Sequence, residues 1–283
     1  MSSITMTVAG FLTMSTNLLD LFGYQFFQNA LLGGIIAAVA CGVVGLFLIL
    51  KKEAMIGDGL SHTAFGGVAI GLLLGINPLI TALGVSVLAV FAISYMRQKK
   101  LASSDSAIAI MLALGFSTGL IVISVAGGFN VELFSYLFGS ILTIDLMDLV
   151  LVSSLGLAVL VFIVFFRREL LSMVFDEDDS RIMGIPTKKL SIVFDLLVAV
   201  TIVLTIKVIG VILVVALLVI PGLCALKLNL SFKNTLLGAV GFSVISTTLG
   251  IMLSAMFNLA TAGVIVFVLV LFFLLTLLYK KLA

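Results

Sequence analysis

Residues 55–71 read MIGDGLSHTAFGGVAIG, and two of them could do chemistry. Asp58 and His62 stand four residues apart, which on an α-helix puts them on one face, a turn apart. His62 is the only histidine of the chain. A carboxylate and an imidazole so placed offer a divalent transition metal one hard oxygen ligand and one borderline nitrogen. The alternative is a structural Asp–His hydrogen bond tying this helix to a neighbour. Both residues lie in an otherwise apolar segment, and at a rise of about 1.5 Å per residue from Lys51 and Lys52, His62 reaches about half the depth of a bilayer. An aspartate there costs about 2.5–3.5 kcal/mol unless it meets a partner, a pore or an ion. An ion pathway is the favoured reading. Two ligands do not close a tetrahedral site, but a symmetric dimer with this face on its two-fold axis would supply two Asp58 and two His62. Next to them Gly59, Thr63, Gly67, Gly71 and Gly75 recur every four residues, a small-residue ridge expected to let backbones approach closely enough for such a dimer.

The elements that must hold this pair are membrane helices. Hydrophobic residues make up 63% of the 283 and charged residues only 10%, with a mean hydropathy of +1.41. That composition excludes a soluble domain and predicts an all-α, polytopic bundle forming a single transmembrane domain over 1–283. A net charge of +2 implies no nucleic-acid partner. The two cysteines, Cys41 and Cys224, sit in apolar runs and suggest neither a disulfide framework nor a zinc knuckle. No Lys or Arg occurs in the first fifty residues, so no cleavable signal peptide is expected and the first membrane helix serves as its own address.

Apolar runs long enough to span occur near 28–50, 54–75, 78–96, 106–126, 145–166, 190–206, 208–226, 235–256 and 260–279. Nine helices are expected, or eight if the break at Lys207 is a re-entry that changes the parity downstream. With nine and the N-terminus outside, every Lys and Arg except Lys207 faces the cytoplasm, as does the C-terminus. The patch 133–142, LFSYLFGSIL, is too short to span and reads as a re-entrant or interfacial element outside the cell, with Tyr136 and the Phe residues at headgroup level. The longest polar stretch, 167–189, mixes charges with Met173, Val174, Phe175, Ile182, Met183 and Ile185. A short amphipathic helix ended by Gly184 and Pro186 would offer its apolar face to a soluble partner, or lie on lipid headgroups.

Other charges are weaker leads. Asp195 falls inside a span but six residues after Lys189, close enough to reach the interface. Asp105 reads as an N-cap or first-turn residue. Glu132, Asp145 and Asp148 lie in or beside an outer loop free of Lys and Arg, where they could draw cations to the mouth. Pro221 should kink its helix and act as a hinge. The chain has no G-x-x-x-x-G-K-[ST] and no H-E-x-x-H, which excludes P-loop nucleotide hydrolysis and a zincin-type protease. Two classes remain: the permease of an ATP-driven importer whose separate ATPase docks on 167–189, and a secondary metal-ion transporter or channel not coupled to an ATPase. The long mixed loop favours the first.

The segments GDGLSH and GVILVVALLVIP, supported by SDSAIAIMLALGFSTGLIVIS, LFSYLFGSILTI and FDEDDSRIMGI, resemble the membrane permeases of bacterial ABC importers for zinc, manganese or ferrous iron, in order over nearly the whole chain. That resemblance implies a type II importer-like fold, a homodimeric pore in a prokaryotic plasma membrane, cytoplasmic ABC ATPase subunits that bind the ATP, and an extracytoplasmic metal-binding protein that delivers the ion. It places Asp58 and His62 on the metal path, and it puts Phe175, Asp176, Glu177, Met183 and Gly184 in the segment that engages the ATPase. The stretches INP, YLFGSILTI and LLSM are closer to zinc than to manganese permeases, so the transported ion is read as zinc first and manganese next.

Overall fold

In hydrocarbon a peptide group can find its hydrogen-bond partner only along its own helix or across a closed sheet, so runs this apolar fold as helices. The computed structural model describes residues 22–128, 131–139, 146–211 and 214–282. They form α1 (Gln25–Leu50), α2 (Met55–Leu74), α3 (Pro78–Gln98), α4 (Ser104–Val125), α5 (Val131–Phe138), α6 (Leu146–Phe165), α7 (Arg167–Phe175), α8 (Glu177–Ile182), α9 (Thr187–Ile209), α10 (Val214–Lys227), α11 (Phe232–Phe257) and α12 (Thr261–Leu282). No strand occurs among the described residues. The all-α expectation holds.

Seven of these helices, α1, α3, α4, α6, α9, α11 and α12, are long and apolar enough to cross a membrane. Helix α2 has the length, at 20 residues, but Asp58, Ser61, His62 and Thr63 dilute its hydropathy. Helix α10 has only 14 residues, about 21 Å at the helical rise. The break before it differs from the expected one. Helix α9 continues through Lys207 to Ile209, and the chain turns at Gly210, whose φ of +88° suits glycine. The Val211 N–H then donates to the Tyr136 carbonyl at 3.0 Å. From there α10 runs alongside α1 in the same sense, with Gly45 against Leu218 and Gly222 against Leu46 and Ile49.

Two contacts fix the ends of the bundle. Lys51 after α1, Arg97 in the last turn of α3 and Asp195 near the start of α9 meet at one end. Tyr136 of α5 and Val211 meet at the other. The first will be termed the basic end. Helix α1 is the most enclosed of the seven candidate spans and packs on α6, α9, α10 and α11. Helix α2 packs on α3, α4 and α9. Local sequence sets the element ends: the Asn77 side chain accepts from the Leu79 N–H ahead of Pro78, and the Ser103 hydroxyl accepts from the Ser106 N–H. Asp105 is thus a first-turn residue and Ser103 is the cap.

Tyr136 is turned into the bundle. It is 5% exposed and Leu137 is 9% exposed, whereas Phe134 and Phe138 face outward with parallel rings 6.1 Å apart. A short helix tied to Gly210 and Val211 turns its inner face into the bundle. Residues 140–142 of that patch lie outside the described residues.

Glycines make the helix contacts testable. A β-carbon at Gly67 would stand 2.6 Å from Ala82 Cα, whereas one at Gly84 or Gly241 would meet nothing within 4 Å. Gly67→Ala should therefore destabilise the purified chain by about 1–3 kcal/mol, because backbone must move to admit it. Gly84→Ala and Gly241→Ala should leave it unchanged or up to about 1 kcal/mol more stable. Thermal unfolding in detergent compares the three.

Candidate functional site

Helix α2 is clamped between α3 and α4 at backbone distance. A β-carbon at Gly66 would stand 2.6 Å from the Gly115 carbonyl oxygen, and one at Gly59 the same distance from Ile108 Cγ2. Gly71 lies against Thr81 and Pro78, and Gly115 lies against Thr63. The small-residue ridge is therefore filled by this chain's own α3 and α4, not left for a second copy. Gly75 is no part of it. At φ +65° with open space around it, Gly75 ends the helix in the left-handed conformation, and the Ile76 N–H behind it reaches the Gly71 carbonyl at 3.0 Å.

Asp58 and His62 keep the remaining face. His62 Nε2 is 3.5 Å from Asp58 Oδ1, with side chains 26% and 36% exposed. That is too long for a well-formed hydrogen bond, and both residues belong to α2, so no neighbouring helix is tied. The His62 ring stands edge-on to Phe116 at 5.4 Å between centroids. Its Nδ1 is buried without a hydrogen-bond partner. An ion about 2.1 Å from both Oδ1 and Nε2 would see them at roughly 110°, near a tetrahedral angle. Among the described residues no third His, Cys, Asp or Glu joins them. One chain offers half a site.

Of the expected outer acids, only Asp148 has a described side chain. Glu132 lies on α5, Asp145 lies outside the described residues, and Asp148, in the first turn of α6, is 5% exposed. A buried carboxylate is not the solvated mouth charge expected of Asp148. Pro221 lies inside α10 and is buried. It interrupts no helix, although its missing N–H leaves the Leu217 carbonyl without an intrahelical donor.

The 167–189 segment is two short helices rather than one. Asp176 divides them, its carboxylate accepting from the Asp178 and Asp179 N–H groups at 2.9 and 3.0 Å; it caps α8 and is spent on that. Glu177 pairs with Arg181 at 3.5 Å, and Gly184 turns the chain at φ +84°. The apolar residues divide in two. Leu170 and Met173 are buried against the bundle, whereas Phe175, Ile182 and Met183 are 82%, 84% and 74% exposed.

One group of charges was missed in the sequence. Asp195 is turned inward: its side chain is 2% exposed and lies 3.5 Å from Lys51 and 3.4 Å from Arg97. Glu53 completes the cluster, 2.7 Å from Lys51 and 3.3 Å from Arg97. Lys51 also donates to Ser191 Oγ at 2.8 Å and sits 5.3 Å above the Phe194 ring. Beside this cluster opens a cleft of about 630 Å³ whose walls include Arg97, Lys100, Glu177, Lys188 and Asp195.

A family described as the ABC 3 transport family matches residues 23–280. The chain belongs to that family. The manganese transport system membrane protein MntC of Halalkalibacterium halodurans is 34% identical to this ABC 3 chain over 88% of it and 85% of the relative. A probable iron transport system membrane protein of Haemophilus influenzae is 32% identical over 93% and 97%. Among solved structures, PsaBC from Streptococcus pneumoniae in complex with Fab is similar with a TM-score of 0.82 at 31% identity, covering 95% of both chains. The resemblance carried by GDGLSH and GVILVVALLVIP is thus to the chain's own family, and its type of fold is that of an ABC permease. For this ABC 3 member, the buried charge cluster had a signal in the sequence: positive-inside alternation already set Lys51 and Arg97 at the level of Asp195.

The two charged groups should respond to truncation to very different extents. His62→Ala and Asp58→Ala each remove a half-exposed side chain with no closed hydrogen bond, so unfolding should shift by less than about 1 kcal/mol. Asp195→Ala strips a buried cluster of one anion and should cost about 3 kcal/mol. Chemical unfolding of the detergent-solubilised chain measures both.

Proposed function

We propose that this chain is the membrane subunit of an ATP-driven importer that carries a divalent transition-metal ion into a prokaryotic cell. The observation that supports this most is the Asp58–His62 pair: an oxygen and a nitrogen 3.5 Å apart on one face of a membrane helix, unspent on any other side chain. A second copy related by a two-fold axis through this face would complete four ligands. In that arrangement Glu132 and Asp145 lie at the outer mouth, nine helices cross with the N-terminus outside and the C-terminus inside, and Pro221 serves as a hinge. Membership in an ABC family favours this over an uncoupled transporter or channel. ATP binds a separate ATPase that engages 167–189, and an extracytoplasmic protein delivers the metal.

The relatives named above carry manganese and iron in their names, and a carboxylate ligand suits manganese well. Manganese therefore moves ahead of zinc as the cargo. Exposed Phe175, Ile182 and Met183 provide the apolar face of the dock, with Glu177 and the Gly184 turn beside them.

Metal uptake by cells lacking their own importer, supplied with this chain and its partners, tests the reading. Asp58→Ala and His62→Ala should each abolish accumulation of manganese while the protein stays in the membrane; uptake at the wild-type rate in His62→Ala would refute the metal path. Phe175→Asp combined with Met183→Asp should prevent co-purification with the ATPase. A thiol placed by Asp178→Cys should resist impermeant labelling of intact cells, and ready labelling would invert the orientation.

A further inference from the structure

The docking segment packs mainly on α1, α6 and α9 rather than on the metal-bearing helix α2, so motion passing from one to the other needs an intermediary. Helix α7 presses Leu170 and Met173 into the bundle, where with Phe47, Lys51 and Phe194 they surround one small void. Lys51 stands over Phe194 and salt-bridges Glu53 at 2.7 Å. Glu53 lies in the short turn that leads into α2, five residues before Asp58. Arg97, in the last turn of α3, joins Glu53 to Asp195 of α9, the residue after Phe194.

We infer that Lys51, Glu53, Arg97 and Asp195 form the relay through which the segment 167–189 sets the position of α2, with Glu53 and Arg97 as positioning residues for transport. The inference rests on the reading of that segment as the ATPase dock and of Asp58 and His62 as the ion's ligands.

Two features distinguish a relay from a strut. The first is that Arg97 spends a single nitrogen, Nη1, on both carboxylates at 3.3 and 3.4 Å. Its Nε and Nη2 are buried without an acceptor. Those two donors form the edge of a guanidinium that suits a bidentate carboxylate, and the present arrangement leaves that edge for a second one. The second feature is room. The walls of the cleft beside Arg97 also include Glu177 of α8 and Lys188, so a partner that presses on α8 narrows the space into which Arg97 can turn. Coupling of two sites requires such an element with two arrangements, biased from both ends.

The test uses the permease with its partner ATPase in lipid vesicles and three readouts: co-purification of the ATPase, manganese binding by the purified permease, and manganese ions transported per ATP hydrolysed. Glu53→Gln should leave the first two at wild-type levels and lower the third by about tenfold. Leu170→Ala, which trims the same route from the other end and keeps every charge, should lower the ratio in the same direction. Combining the two should produce no further loss, because both interrupt one path. A Glu53→Gln permease with the wild-type ratio would overturn the relay, and so would losses that multiply in the double variant. If Glu53→Gln does not fold, Arg97→Lys, which keeps the charge but loses the planar edge, takes its place with the same expectation. Failure of the underlying reading looks different: loss of ATPase binding or of manganese binding would have to be absent in the Phe175/Met183 and Asp58 variants respectively.

Discussion

Apolar helices gain nothing by leaving lipid for one another, because lipid tails are as apolar as leucine. Close van der Waals contact between backbones has to supply the association, and here glycine makes it possible. Helix α2 meets α3 through Gly67 and Gly71 and α4 through Gly59, Gly66 and Gly115. Because those faces are consumed by the clamp, only one strip of α2 is left, and it is the strip that carries Asp58 and His62. The placing of the backbone that carries these two side chains follows from contacts that neither of them makes.

Much of this was legible beforehand. A mean hydropathy of +1.41 and long uncharged runs dictate membrane helices, and a spacing of four puts Asp58 beside His62 whatever the neighbours are. What the sequence could not say is where a small-residue ridge points. Gly59, Gly67 and Gly71 would pack equally well on a second copy, and only the partner surfaces, Ile108, Gly115 and Ala82, decide for the same chain. Nor does periodicity tell a helix-ending glycine from a packing one; Gly75 fits the repeat of four and serves as a cap. The break after α9 was misplaced by a few residues for a similar reason. A lysine near the end of an apolar run looks like a boundary, yet helix geometry tolerates it and the turn waits for Gly210.

Asp195 shows the limit of reading charges one at a time. Six residues from the basic edge, it seemed near enough to water to be harmless on its own, but three other charges gather around it instead. Burying one ion is costly and burying a balanced set of four far less so. Long-range pairing of this kind joins positions 51, 53, 97 and 195, and it emerges only once three helices have been brought to a common level.

The composition of α2 also bears on how the protein is made. Its 20 residues are long enough to span, yet it falls outside the seven helices that are both long and apolar enough to cross a membrane. The chain leaves α2 through a tight turn at Gly75 and enters α3 at Pro78, with Asn77 capping the next helix. With three intervening residues the two helices form one short hairpin, a connection that lets the more apolar arm carry the other into a membrane.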